Sequence, residues 1–417
     1  MKKLFFINDT LANKISYFFI AFFLIALPFQ HFYSEMLLLG FAIHTFIHFD
    51  KKRLPALRNK SIWIVASLFF LNLIAIFYSN YKAEGFKNAG HQLGILLFPI
   101  CLSLNNIDPE KYKLPLLKLF SLTCTVTIVY LYIDAFRIIH YFDLPSSSIF
   151  SKSFINHNFS APIGLHATYL SMYVALSISA FLFLFFSNPG IKNWKYLFFI
   201  VILLAGLIQL SSRSAFIATG IIIVIVVPSL LLHGKKKLQF FMVSLIASLL
   251  IIVVITKVDS FRKRYINDLG NDLSDYTDPG NQSESRLLRW NLEWELIQKS
   301  PFIGYGSGSE KYILKEKYFE KKFYRSYLLE LNAHNQYLSF LINTGFVGLL
   351  LYLYILYYGF LSAIKRKDFL LVSFLILIAV VSISENILDV NKGVFFYSFF
   401  FTLFLLSISK ENTAASF

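Results

Sequence analysis

The chain has 417 residues, of which 56% are hydrophobic, 18% aromatic and only 15% charged, with a formal net charge of +15. A soluble domain of this length carries roughly a quarter charged residues, so this balance excludes an ordinary water-soluble fold. Much of the positive charge sits in short loops between apolar runs, where it orients a membrane chain rather than binding nucleic acid.

Taken in chain order, the apolar runs predict twelve spans, centred near residues 13–30, 33–49, 61–79, 87–104, 114–138, 163–187, 194–211, 214–233, 238–257, 335–363, 368–386 and 391–409. Stretches such as IVILLAGLIQL and SLIASLLIIVVI carry no charge and approach the roughly 20 apolar residues that cross the hydrocarbon as a helix. They are apolar on every face, unlike alternating barrel strands, so the expected fold is all-α, a polytopic transmembrane helical bundle. The first span begins basic and apolar but lacks a small-x-small cleavage site, and reads as retained. The fourth, NAGHQLGILLFPICLSL, is the least apolar, with a histidine, two glycines and a proline. Cys101 and Cys124 fall inside apolar runs and offer neither a disulfide framework nor a metal-ligand spacing.

The loop HFDKKRLPALRNK after span two is strongly basic and is expected on the cytoplasmic side. Counting onward, NNIDPEKYKLPLLK, NPGIKNWK, HGKKK and IKRKD fall on the same side, and Lys2 and Lys3 agree. Both termini are then cytoplasmic. The opposite side receives SNYKAEGFK, a loop near 139–162, the SSRS turn at 211–214, the polar segment 258–333 and SENILDVNKG at 384–393. The chain divides into spans one to nine (1–257), a long outer loop region with short helices (258–333) and spans ten to twelve (334–417), all within one integral membrane domain.

Four features gather on that outer face. Arg213 stands in QLSSRSAFIA, a turn of a few residues between two apolar helices. The outer loop contains SESRLLRWNLEWELIQKSPFIGYGSGS, with Arg286, Arg289, Trp290 and Trp294. His334 and Asn335 stand at the mouth of span ten in LELNAHNQYLSFLINTGFVGLL, and Glu385 at the outer end of span eleven in SISENILD. Each has a plain structural explanation. Arginines snorkel to headgroups and tryptophans form an interfacial belt. GYGSG is a turn more often than a phosphate cradle, Asn335 is a favoured helix cap, and Glu385 pairs with a lysine.

Their common face gives them a second meaning. Two or three arginines there hold a multiply charged anion bidentately, and in a membrane such an anion is a lipid pyrophosphate. A neutral histidine nearby is suited to take a proton from a hydroxyl. This chemistry is glycosyl or phosphoryl transfer from a lipid carrier, with arginine stabilising the leaving group. Lys87 and His91 begin span four on the outer side, within reach of the donor phosphates, and His166 and Tyr169 line the same side at span six. His44 and His48 snorkel at the inner end of span two, and Asp134, Arg137 and His140 form an intrahelical set. No acidic pair is spaced like a metal site, and neither metal nor cofactor is expected.

The order SSRSAF, SESRLLRW with PFIGYGSG, AHNQYLSFLINTGFVGLLLYL and SISENIL resembles the O-antigen ligase and polymerase superfamily. The resemblance runs from about residue 160 to 405 and includes GLHATYLSMY at 164–173. Its most specific piece is Arg286-x-x-x-Trp290, followed by Pro-x-x-Gly-x-Gly at 301–306 and His334-Asn335. It implies an inverting, metal-independent glycosyltransferase of the bacterial inner membrane. The glycan would come from undecaprenyl pyrophosphate at the periplasmic face and pass to an acceptor hydroxyl. In a ligase the acceptor is a sugar of lipid A-core; in a polymerase it is another lipid-linked repeat.

By position, Arg213 and Arg286, assisted by Arg289, match the arginines at the pyrophosphate, and His334 matches the histidine that activates the acceptor. Trp290 is a supporting residue. Asn335 either caps the tenth helix or orients the imidazole, and Glu385 either binds sugar hydroxyls or holds the histidine. Ligases often carry a second histidine where this chain has Ala333. The expected function is a ligase, with a polymerase as the alternative. A lipid-linked oligosaccharide transporter ranks third, because it would show polar groups at the midplane and an internal repeat.

Overall fold

The computed structural model describes residues 7–187, 193–274 and 284–407, and all regular structure among them is helical. The first nine membrane-type helices are α1 (Leu11–Ala26), α2 (His31–Ile47), α3 (Lys60–Phe77), α4 (Lys82–Leu104), α5 (Pro109–Tyr141), α6 (Ala167–Ser187), α7 (Trp194–Leu210), α8 (Arg213–Leu230) and α9 (Lys235–Lys257). Segment 258–333 forms short helices: α10 (Asp259–Arg262), a π-helical turn (Lys263–Asn267), α11 (Asp268–Asp272), α12 (Arg286–Ile297), α13 (Glu310–Glu320) and α14 (Tyr324–Leu328). The chain returns to the bundle in α15 (Gln336–Arg366), α16 (Phe369–Val381) and α17 (Asn391–Leu406). Lys2 and Lys3 lie outside the described residues.

Each expected span coincides with a helix, but not all are long and apolar enough to cross a membrane. Six are (α3, α5, α6, α8, α9 and α15), or up to seven if α2 and the turn Lys51–Arg58, bent by 118°, form one span. The helices α1, α7, α16 and α17 are apolar but shorter, and α4 carries Lys82, Glu84, Lys87 and His91 in its first half. Twelve full crossings therefore exceed what helix length and hydropathy establish. The clearest case is α16, whose 13 residues rise about 20 Å against a hydrocarbon core of about 30 Å. Span eleven, expected to run to residue 386, leaves the helix at Ser382, and the irregular stretch beyond it carries Glu385. Such backbone persists at membrane depth only where protein or a cavity surrounds it.

The centre of the bundle is α17, buried from Lys392 to Leu405, with Phe396 and Phe400 packed against Phe120 and Tyr173. Lipid tails are as apolar as these rings, so close fit rather than escape from water holds them together. In contrast, α9 is apolar on all faces and barely covered by the rest of the chain, as suits a lipid-facing helix.

The connections sort to two ends. At one end Arg53 donates to Asn106 (3.0 Å), Lys111 pairs with Asp9 (3.0 Å) and Ser407 reaches the Pro109 carbonyl (3.4 Å). The cation-rich loops after α2 and α4 thus lie together, beside both ends of the described chain. His44 and His48 stack at the same end, 4.3 Å between ring centroids. Arg213, Arg286, His334 and Glu385 gather at the other end.

Candidate functional site

The glycine-rich run of 301–308 acts neither as a free turn nor as a phosphate cradle. It is a clasp on a broken helix. Gly345 interrupts α15 with φ 63° and ψ −158°, which frees backbone groups on both sides of the break. Tyr305 N–H and Gly306 N–H donate to the carbonyls of Ile342 (2.8 Å) and Asn343 (2.9 Å), while Phe346 and Val347 donate to Pro301 (2.7 Å) and Phe302 (3.2 Å). Ser307 N–H adds a bond to Ala75 of α3 at 3.2 Å. A Cβ on Gly345 would collide with the Phe302 backbone, and one on Gly304 with the Ile342 carbonyl. Both glycines also hold positive φ. Gly345→Ala is therefore expected to destabilise the protein by about 3 kcal/mol, combining left-handed strain with overpacking. A drop in the detergent unfolding midpoint checks it.

The clasp fixes the first turns of α15, and the turn ahead of them carries His334 with φ 47°. A histidine keeps that conformation only where its surroundings impose it. Here almost every neighbouring backbone group is tied. His334 N–H donates to Asn332 Oδ1 (3.1 Å), Asn335 N–H to Asn386 Oδ1 (2.7 Å) and Gln336 N–H to the Ser382 carbonyl (2.8 Å). Ala333 N–H donates to Glu310 Oε1 at 3.0 Å. The Arg289 guanidinium donates to the Asn332 carbonyl (3.2 Å) and the Trp290 indole to the Ala333 carbonyl (2.9 Å). Asn335 caps α15, its side chain accepting from Tyr337 N–H (3.0 Å) and Leu338 N–H (3.3 Å).

Glu310 is the hub of this arrangement and was not singled out from the sequence. Buried at the start of α13, it also accepts from Asn386 Nδ2 (3.2 Å), Asn343 Nδ2 (3.1 Å) and the Ser339 hydroxyl. The signal lay in spacing that sequence cannot close: a lone glutamate after GSGS, and an asparagine directly after Glu385. Glu293 of α12 is fully buried, and no hydrogen-bond partner reaches either carboxylate oxygen among the described residues. Burial, then the nearby Glu310 charge, raises its pKa well above the ordinary carboxylate range, so the folded state favours the neutral acid. Unfolding releases it to ionise, and stability is lost as pH rises beyond the ordinary glutamate pKa of about 4.3. Glu293→Gln removes that loss. Its unfolding midpoint should match or exceed the parent's near about pH 8, with the gap closing toward about pH 5.

Around the imidazole, His334 Nδ1 lies 3.4 Å from Glu385 Oε1, within ion-pair range but off the line of a hydrogen bond. Burial opposes the Glu385 charge, yet His334, His166 and Arg286 together hold its pKa below the ordinary value. Arg286 donates to the Ser384 carbonyl (3.1 Å), one residue before Glu385, and its Nε lies 3.7 Å from Asp272. Arg213 donates to the same oxygen of the Asp272 carboxylate. Two guanidiniums converging on one carboxylate leave a place shaped for an anion, which Asp272 fills from within the chain.

Of the expected residues, Arg213, Arg286, His334 and Glu385 come together. Arg289 is buried behind the turn, with its guanidinium on backbone, and Trp290 shares that role. Lys87 is exposed and paired with Glu84 at 3.1 Å. Asp134 and Arg137 form the expected intrahelical pair (2.7 Å).

Three cavities reach this region. One of about 430 Å³ is lined by His334, Glu310, Asn332 and Asp389. A second of about 620 Å³ adjoins it at Asp389 and holds His91, His166 and Tyr169. This one in turn meets, at Phe29, Gln30 and Gly164, a mostly apolar groove of about 860 Å³ along α1 and α5.

Residues 197–353 match the family model described as O-antigen ligase. The match covers less than half of the chain and supports a likeness to the O-antigen ligase superfamily in that segment. The matched segment includes Arg213, Arg286 and His334 and stops short of Glu385 and Asn386. For this membrane helical protein the match supports a function of the O-antigen ligase or polymerase type in general, and it implies lipid-linked glycans as the general class of substrate. No curated protein matches the chain.

Proposed function

We propose that the protein is an inverting glycosyltransferase of the O-antigen ligase kind, which moves a glycan from undecaprenyl pyrophosphate to a hydroxyl of lipid A-core. The observation that carries this reading is the His334–Glu385 contact, with Arg286 bonded to the residue just before Glu385 and sharing Asp272 with Arg213. A proton acceptor and one arm of an anion clamp thereby meet the same short irregular stretch.

In this reading the donor diphosphate displaces Asp272 between Arg213 and Arg286. The acceptor oxygen attacks the anomeric carbon from the face opposite the diphosphate while His334 takes its proton. The bond from that carbon to the bridging phosphate oxygen breaks, and its electron pair stays with the diphosphate, where the two guanidiniums stabilise the growing charge. Glu385 steadies the imidazolium, while Arg289 and Trp290 hold the turn rather than the phosphates. The arginines supply the positive charge that a metal ion would otherwise bring, so transfer should persist with a chelator present. The apolar groove along α1 and α5 offers a prenyl or acyl chain a way from the bilayer toward the His334 chamber. The loop charges support an inner-membrane orientation with twelve crossings, both ends cytoplasmic and this site periplasmic.

A polymerase would use the same chemistry on another lipid-linked repeat. Lipopolysaccharide profiling of a deletion strain tests the assignment. Loss of all long chains with accumulation of lipid-linked polymer is the ligase result. A single repeat left on the core is the polymerase result, and an unchanged profile removes both.

A further inference from the structure

Beyond the arginine–histidine site, two lysines from distant parts of the chain meet at the same end of the bundle. Lys152 belongs to the single turn Lys152–Phe154, and Lys263 opens the π-helical turn Lys263–Asn267. Their ammonium groups come near enough that Lys263 holds the Lys152 pKa below its ordinary value. With Arg264, Asn156 and His157 they line a pocket of about 260 Å³, in which Asp268 is the one carboxylate among the described lining residues. Asp268 lies 3.7 Å from Arg264, and neither lysine forms an ion pair among the described residues.

Apolar packing holds these like charges together. Ile155, Ile255 and Phe261 form a buried cluster that joins the two segments, and Phe150 meets Phe261 edge-on at 6.0 Å. The backbone is constrained as well: Asn156 keeps φ 57°, its N–H bonded to the Gln209 carbonyl at 3.0 Å. His157 adds no charge, because desolvation, then His166 at 4.0 Å between ring centroids and Arg264, push its pKa to about 4. Cations pressed together by packing repel one another until a counter-charge enters between them.

We propose that Lys152, Lys263 and Arg264 form an anion site for a phosphate ester, distinct from the Arg213–Arg286 pair. The lysines supply point charges that adapt to the ligand, and Arg264 supplies the planar fork. Two molecules offer that chemistry here: the headgroup of an anionic phospholipid, and the phosphates of the lipid-linked donor. Phosphate binding at the site stands apart from the transferase reading, and only the second source, the donor phosphates, rests on it.

The test uses the full chain in phosphatidylcholine nanodiscs with radiolabelled inorganic phosphate as the probe. The double variant Lys152→Gln/Lys263→Gln is expected to bind phosphate about tenfold more weakly. Lys152→Arg/Lys263→Arg should retain binding, and Arg286→Gln should leave this site saturable. Competition by phosphatidylglycerol added to the nanodiscs identifies a lipid headgroup. Competition by farnesyl diphosphate without competition by that lipid identifies the donor phosphates. Equal phosphate binding by parent and double glutamine variant, or no saturable binding by the parent, overturns the proposal.

Discussion

Replacing His334 with alanine is expected to lower glycan transfer by about 10²–10⁴-fold, the usual worth of a positioned general base, with insertion and abundance unchanged. The separation of effects follows from how the turn is built. The bonds that shape it run through backbone groups to Asn332, Asn386, Glu310, Arg289 and Trp290, and the imidazole contributes to none of them. Alanine at φ 47° carries some left-handed strain, so His334→Asn is the companion variant, because asparagine tolerates that region. Both should be inactive in proteoliposomes supplied with lipid-linked donor and acceptor. Wild-type rates in either, at normal abundance, would reduce the His-Asn pair to a helix cap.

The second large effect is expected at the arginines. Arg213→Gln and Arg286→Gln should each lower turnover by about 10²–10³-fold, the scale on which a single donor to a developing anion is felt. Lysine is not equivalent to arginine at either position, since a point charge cannot reproduce the two-pronged bond. The two sites should differ in one respect. Arg286 faces Asp272 at ion-pair distance and donates to the Ser384 carbonyl, so its loss also loosens the stretch that aims Glu385 at His334. Arg213 meets Asp272 alone among the hydrogen-bond partners described. Arg286→Lys is thus expected to lower the rate more than Arg213→Lys, with initial rates at saturating donor as the measurement.

Much of the site was readable because its residues mark boundaries. Arg213, His334 and Glu385 stand where apolar runs stop, and a residue there is conspicuous in an otherwise uncharged sequence. Arg289 was expected to assist Arg286 at the phosphates, because spacing on one helix does not reveal which way a side chain is drawn. Arg286 turns to Asp272 and Ser384, whereas Arg289 and Trp290 turn to the carbonyls behind the histidine. Glu310, Asn343 and Asn386 were passed over for the opposite reason. Each is an ordinary polar residue locally, and it matters through partners 23 to 76 positions away.

Composition and periodicity alone determined a helical membrane chain, the positions of its apolar runs, and the clustering of unusual polar residues on one rim. Those follow from transfer free energies that act residue by residue, so they are written locally. Tertiary structure decided where helices break and what the breaks do. The helix α16 ends five residues before the expected span does, α15 is broken at Gly345, and the run at 301–308 closes that break. These outcomes depend on unsatisfied backbone groups finding distant partners inside a low-dielectric bundle, which pairs residues that no local pattern links.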